Sequence, residues 1–322
     1  MFNLRASAPG EDGTTIAHAW AMPLTTRSLA GSSPSPEVLH RRLAASHPLR
    51  LAPRLHELDW EADLEEELCC RRLERQWVEA ERAAVAREVA SVPTTPQGFL
   101  GWFKQLEQRG PGQGDPLFPW LAQHASHDEM RWFLHQEMAG EAGFDDLVAL
   151  AQLKLPARPK LEMARNYWDE MGQGNPGGMH GPLLSRLQEH LPPSSDPIVW
   201  EALALGNMMV ALASSRSYAY QAIGALGVIE LTAPGRAEQV NAGLKRLGFP
   251  GEARRYYALH ATLDIRHCQT WTREVFAPLV AEEPRVAPLL AEGALLRLRA
   301  GQRCFERYRR ELAPRELSRS VA

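Results

Sequence analysis

Cysteine and lysine are both scarce in this 322-residue chain, at four residues each. The cysteines (Cys69, Cys70, Cys268 and Cys304) form no CxxC pair, and adjacent Cys69 and Cys70 are a poor start for a disulfide framework. A disulfide scaffold is disfavoured, and a reducing cytoplasm is the expected location. With so few lysines the basic residues are nearly all arginine, and the formal net charge is only −3. No global field therefore marks a nucleic-acid binder. Long uncharged apolar runs are missing too. The least charged stretch lies between Glu201 and Glu230 and carries Asn207, Arg216 and Gln221. That pattern fits a buried helix better than a membrane span. Glu11 and Asp12 interrupt the early residues, so no secretory leader is expected. Strand-like alternation is scarce as well.

What is present is helical. Residues 1–55 are rich in Ser, Pro, Thr and Ala without a clean period, and read as an irregular arm. From Trp60 to about Val89 apolar and charged residues interleave with no Gly or Pro, which predicts a helix. Thr95 before Pro96 reads as an N-cap and first helical residue. Ser126 and Glu129 fit a capping box that opens a helix running to about Gly140. Further helices are expected at 142–153, 159–171, 182–191, 197–232, 235–247, 251–280 and 284–311. The Arg-rich segment after Arg285 (Arg297, Arg299, Arg303, Arg307, Arg309 and Arg310, interleaved with Glu292, Glu306 and Glu311) reads as a solvated helix face. His124, His127 and His135 read as surface residues. The economical organisation is an N-terminal arm and helix over 1–92 with no assigned role, an all-α domain over 93–312, and a C-terminal tail over 313–322.

The segment 256–271, YYALHATLDIRHCQTW, holds the most informative spacing. A helix turns about 100° per residue, which puts Asp264 at about 40° and His267 at about −20° from His260. All three share one face, and Tyr256, Trp271 and Glu274 extend that stripe. Amphipathic helices usually fill such a face with Leu and Val. Ionisable groups placed there need partners, because an isolated buried carboxylate or imidazole is costly. One reading is a metal ion bound by all three; the other is a solvated face on which Asp264 pairs with a histidine.

Two further segments bear on that choice. Glu230 is the lone acid of a long apolar and small-residue run, thirty residues before His260. It is either a helix-end residue facing solvent or a buried ligand. Glu170 closes a helix, and a Gly-rich bend brings His180 ten residues later. The glycines allow His180 to fold back toward Glu170, although an ordinary loop with a surface histidine has the same composition.

Taken in order, Glu170, His180, Glu230, His260, Asp264 and His267 resemble the signature of the haem-oxygenase-like diiron oxidases, the iron-containing redox enzyme family. The resemblance covers roughly residues 93–312. It implies an all-α, haem-oxygenase-like helical bundle with an irregular N-terminal extension. It also implies that Glu170 and His180 ligate from the first helix and its bend, Glu230 from the second helix as a bridging carboxylate, and His260, Asp264 and His267 from the third. A seventh carboxylate ligand found in some members has no unambiguous match. The implied cofactor is two O2-reactive Fe(II) ions, with Mn the alternative metal. Three carboxylates, three imidazoles and no thiolate suit either metal better than structural zinc. Three carboxylates against two divalent ions leave a nearly neutral core, and six ligands over two metals leave positions for O2 and substrate. A ferritin-like bundle is disfavoured, since the repeated Glu-x-x-His pair is missing.

The expected activity is O2-dependent oxidation of a small amine or amino-acid-like metabolite, by N-oxygenation or oxidative cleavage in a biosynthetic setting. A fatty-acid-type decarboxylase or desaturase of the same fold is the nearest alternative. A two-metal hydrolase or a non-catalytic helical binding protein are the others. Partners are then a small-molecule substrate and O2, with an external electron donor and a homodimer compatible, and neither nucleic acid nor membrane. Tyr256, Trp271 and Glu274 either line the pocket, support the ligands or merely pack. Arg216, about 40° from Glu230 on the same expected helix 197–232, is placed to anchor a substrate carboxylate or to form a structural ion pair.

Overall fold

The long helix expected from Trp60 starts where its sequence allows a cap. The Asp59 carboxylate accepts from the amides of Glu61 and Ala62, and the helix α2 runs Trp60–Val89. A computed structural model describes residues 34–53, 59–192 and 194–312. Most of the expected irregular arm and the whole tail 313–322 lie outside the described residues. Among the described residues there is no strand. The fold is all-α, as the sequence leads one to expect.

The chain from Pro36 onward forms one unit. In order it holds α1 (Pro36–Leu51), α2, α3 (Pro96–Arg109), α4 (Leu117–Gln123), α5 (His127–Gly140), α6 (Phe144–Ala151) and α7 (Ala157–Glu170). After a bend come α8 (His180–Glu189), α9 (Trp200–Ser214), α10 (Ala219–Arg246) and α11 (Arg255–Thr270). A π-helical turn (Trp271–Phe276) leads into α12 (Ala277–Glu282), and α13 (Val286–Leu312) follows. Thr95 caps α3 with Pro96 in its first turn, and Ser126 and Glu129 complete the capping box of α5. No described helix is long and apolar enough to cross a membrane.

Helix α10 is the axis of the bundle and packs along α11 and α13, with α4 and α9 beside it. Its crossing with α13 is made by glycines. A Cβ on Gly224 would land on the Leu290 carbonyl oxygen, and one on Gly293 on the Gln221 carbonyl oxygen. Close backbone approach of this kind admits no side chain. Helix α9 is buried on nearly every face, Leu205, Met208, Val210 and Leu212 among its residues, with its polar Glu201 and Asn207 paired inside, which accounts for the uncharged run.

Four local expectations are corrected. Residues 36–51, read as part of an irregular arm, form α1; it buries His40, Leu43 and Ser46 and spans Pro48, so no apolar period was there to read. The Asn207 amide donates to the His40 carbonyl at 2.9 Å, and Arg50 pairs with Glu74 at 2.9 Å, tying α1 to α9 and α2. The single helix expected over 197–232 breaks at Ser215, which is extended and followed by a 3-10 turn at Arg216–Tyr218. At the break the Ser214 hydroxyl accepts from Arg50 and Arg71 at 3.1 and 3.3 Å. Conversely α10 runs through Pro234, which leaves the Glu230 carbonyl without its helical donor. Packing on both flanks carries the helix past it. Finally, the Arg-rich face of α13 is only partly solvated: Arg310 is exposed, and the other arginines are drawn against the protein. Arg303 pairs with Glu81 at 3.0 Å and Arg307 with Glu201 at 3.4 Å, Arg299 and Arg309 pair with Glu88 and Asp115, and Arg297 turns inward.

Candidate metal centre

Helix α7 ends on Glu170, and the chain then makes two 3-10 turns before α8 opens on His180. The bend is tight because Gly172 adopts φ +60° with its α-carbon against Gly178; a Cβ there would sit 2.5 Å from the Gly178 carbonyl carbon. His180 Nδ1 consequently returns to 2.9 Å from Glu170 Oε2. Helix α11 aims His260 and His267 at the same carboxylate from the other side. His260 Nε2 lies 3.7 Å from Glu170 Oε2, and His267 Nδ1 3.6 Å from Glu170 Oε1. Glu230, on α10, places Oε2 3.4 Å from His267 Nδ1.

All six side chains singled out by spacing therefore converge. Glu170, His180, Glu230, Asp264 and His267 are at most 5% exposed as residues, and the His260 side chain is 11% exposed. Two donor groups of metal-binding dimensions result, one of Glu170, His180 and His260 and one of Glu170, Asp264 and His267, each with its donor atoms within 4.8 Å of one another. Glu170 is common to both.

The outward nitrogen of each imidazole is fixed by an acceptor. His180 Nε2 lies 3.3 Å from Glu141 Oε1 and 3.1 Å from the Tyr256 hydroxyl. His260 Nδ1 donates to the Tyr256 carbonyl at 2.7 Å. His267 Nε2 donates to Asp169 Oδ2 at 3.1 Å. Glu141 is itself held by the amides of Gly143 and Phe144 at 2.9 and 3.1 Å. Asn166 donates to Glu230 Oε1 at 2.6 Å. Acceptors of this kind orient ligating imidazoles and set their tautomer.

Charge crowding is visible in the proton affinities. Burial pushes the Asp264 carboxyl well up, and the nearby Glu230 and Glu170 carboxylates push it further. For His267 burial acts downward, but Glu230, Asp169 and Glu170 outweigh it and raise the imidazole to about 9. His180 is raised likewise, against burial, by Glu141 and Glu170. Protons thus stand where positive charge is needed, and divalent cations would supply it instead. The nearest thiol, Cys268, is pushed up to about 11, mainly by burial, and belongs to neither donor group.

Glu141, Asp169 and Asn166 were not among the residues picked from sequence. Asp169 adjoins Glu170 and Asn166 lies one helical turn before it, so the end of α7 held the signal; Glu141 carries only a helix-terminal position. Of the four further candidates, Tyr256 lines the cavity beside the centre. Trp271 is buried but does not line the cavity; it packs on Gly227 of α10, one turn before Glu230. Glu274 pairs at the surface with Arg158 and Arg273, both at 2.7 Å. Arg216 donates to the carbonyls of Leu150 and Leu153 at 3.2 and 2.6 Å, and is not on the helix of Glu230.

The sequence profile described as iron-containing redox enzyme matches residues 131–302, more than half of the chain, and that stretch contains all six converging side chains. The chain belongs to the iron-containing redox enzyme family. Membership makes it an oxidative iron enzyme and fits the buried Glu and His donors. No curated protein matches it. The residues present suit the family's metal on a direct observation: Asp264 Oδ1 and His267 Nδ1 are buried donors with no hydrogen-bond partner. Native interiors rarely leave such atoms unsatisfied, and an ion is one of the standard explanations.

Proposed function

We propose that the protein is a non-haem diiron, O2-dependent oxidase or oxygenase acting on a small amine or amino-acid-like metabolite. One observation carries this reading. Three imidazoles each have the outward nitrogen anchored while the inward nitrogen faces Glu170 or Glu230, beside an Asp264 oxygen that lacks any partner. A purely structural histidine–carboxylate network has no reason to leave His267 Nδ1 and Asp264 Oδ1 without partners.

In this reading Glu170, His180 and His260 would hold one iron and Glu170, Asp264 and His267 the other, with Glu230 available as a further carboxylate ligand beside His267. Ferrous iron bound there would supply the electrons that activate O2. The protein's own contributions are placement and dryness. Asn166 fixes one Glu230 oxygen and leaves Oε2 directed inward. Asp169 and the Tyr256 carbonyl hold the two α11 imidazoles in one ring orientation. Glu141 and the Tyr256 hydroxyl do the same for His180, and both line the cavity in which the substrate would sit. That cavity has a volume of about 150 Å3. An engineered void of about this size holds one benzene-sized molecule, which favours a small metabolite over a long fatty chain.

The test is anaerobic loading with Fe(II), counting of bound iron, then O2 consumption with candidate amines and amino acids present. About two irons per chain and iron-dependent O2 uptake are expected. Binding of Zn(II) with hydrolysis and no O2 uptake would instead favour a two-metal hydrolase.

A further inference from the structure

Beside the metal centre the same cavity carries two guanidinium groups that the family signature does not call on. Arg236 reaches it from α10 and Arg297 from α13. Neither makes a hydrogen bond or ion pair with any described residue, and Arg297 Nε is buried without a partner. Buried arginines are ordinarily paired, since an unmatched charge away from water is expensive. Among the described acids, Glu137 acts on both and also lines the cavity, while Asp264 acts on Arg236 and Glu141 on Arg297 from the metal-ligand end. One shared carboxylate against two guanidiniums leaves this end of the cavity locally cationic, opposite the carboxylates of the metal-ligand end.

The pair is also pre-organised. The Arg236 guanidinium lies 5.9 Å from the Phe118 ring centroid and 5.5 Å from that of Phe305, and those two rings meet edge to face at 4.9 Å. Aromatic faces that flank a guanidinium fix its plane without consuming its N–H donors. Burial and the Arg297 charge push Arg236 down to about 10, as expected of two cations forced together. The rest of the wall is apolar, including Met138, Leu184, Leu205, Met209 and Val240. The chamber therefore offers a metal-ligand end, a cationic end and an apolar body.

We infer that Arg236 and Arg297 form a carboxylate-binding site, and that the substrate is a small organic acid whose benzene-sized apolar body spans from this site to the metal centre. The inference rests on the oxidase reading for the word substrate; the binding site itself does not. A single carboxylate brings the trio of Arg236, Arg297 and Glu137 to neutrality, and its planar oxygens match two forked donors. Glu137 then remains to receive an ammonium group if the acid is an amino acid.

Metal-free protein isolates this site, because iron would itself attract a carboxylate. Binding of phenylacetate, L-phenylalanine and neutral phenylacetamide is measured by calorimetry, with Arg236→Gln, Arg297→Gln and Arg236→Lys compared. At least one of the two acids is expected to bind about tenfold or more tightly than the amide, the range of a charge-assisted hydrogen bond. Each Gln variant is expected to abolish that preference, and Arg236→Lys to keep part of it. Phenylacetate ahead of phenylalanine marks a simple acid; the reverse order marks an amino acid held through Glu137. No preference of either acid over the amide in the parent protein overturns the inference, including the case in which nothing binds. The parent comparison needs no variant to fold. Iron stoichiometry on the same preparations separates the two readings. Full iron with no acid preference sinks this site alone, and acid preference with no iron sinks the oxidase reading alone.

Discussion

Removing Asp169 tests whether the outward anchors matter to metal binding. In Asp169→Ala, His267 Nε2 loses the acceptor at 3.1 Å that sets its ring orientation. Loss of such an anchor costs about 10- to 100-fold in metal affinity, or roughly 1.4–2.7 kcal/mol. A second effect opposes the first. His267 titrates at about 9, raised by Glu230 ahead of Asp169 and Glu170. A metal must displace that proton, which weakens apparent affinity by roughly a hundredfold two pH units below the titration point. Removing Asp169 relieves only part of this, because Glu230 and Glu170 remain. The net loss is therefore expected to be severalfold at neutral pH and to grow toward the full anchor effect as the pH nears 9. Anaerobic Co(II) titration against a chromogenic chelator, at steps across that range, reads it directly. Glu274→Ala serves as the control, since its carboxylate engages only Arg158 and Arg273 at the surface. Parental affinity at every pH, or a deficit that shrinks as pH rises, refutes the reasoning.

Asp264→Ala combined with His267→Ala should remove most bound iron while circular dichroism keeps its helical signal; unchanged iron stoichiometry contradicts the ligand assignment. For metal-free protein, the His267 pairing stabilises fully below its ordinary value of 6.5 and is lost as pH rises through about 9. Urea midpoints should therefore fall across that window by the equivalent of a few kcal/mol at most, and metal-loaded protein should show little of the fall, because a coordinated imidazole carries no extra proton. Gly172→Ala forces a side chain into a left-handed residue against Gly178, so it should lower thermal stability by about 1–2 kcal/mol or more and reduce iron content by displacing His180. Arg216→Ala should lower stability by about 1–2 kcal/mol through the lost carbonyl contacts at Leu150 and Leu153, with ligand binding in the cavity unchanged by calorimetry.

The centre was legible because its parts obey periodicities. His260, Asp264 and His267 share a face by helix geometry alone, and glycines next to Glu170 announced the bend that returns His180. Caps at Thr95 and Ser126 were equally local. What escaped was set by tertiary context. Helix α1 buries His40 and Ser46 beside one leucine, so it carries no apolar rhythm. Pro234 reads as a stop, yet neighbours on both flanks hold α10 straight through it. Arg297 sits among solvated-looking arginines and differs from them only in where α13 turns it, a matter of the glycine crossing with α10. Glu141 acts on a histidine distant in sequence and nothing in its own surroundings says so, whereas Asp169 is marked only by adjoining Glu170.

Helix α13 supplies Arg297 to the cavity and partners to α2, from Glu292 with Arg82 to Arg303 with Glu81. Those contacts join residues more than two hundred positions apart in the chain. During synthesis the proposed ligands on α7, α10 and α11 all leave the ribosome before α13 does, so the cavity gains its second guanidinium only after every proposed iron donor has emerged. A product truncated near residue 282 would carry every proposed iron donor and still lack Arg297 and the contacts that α13 makes with α2.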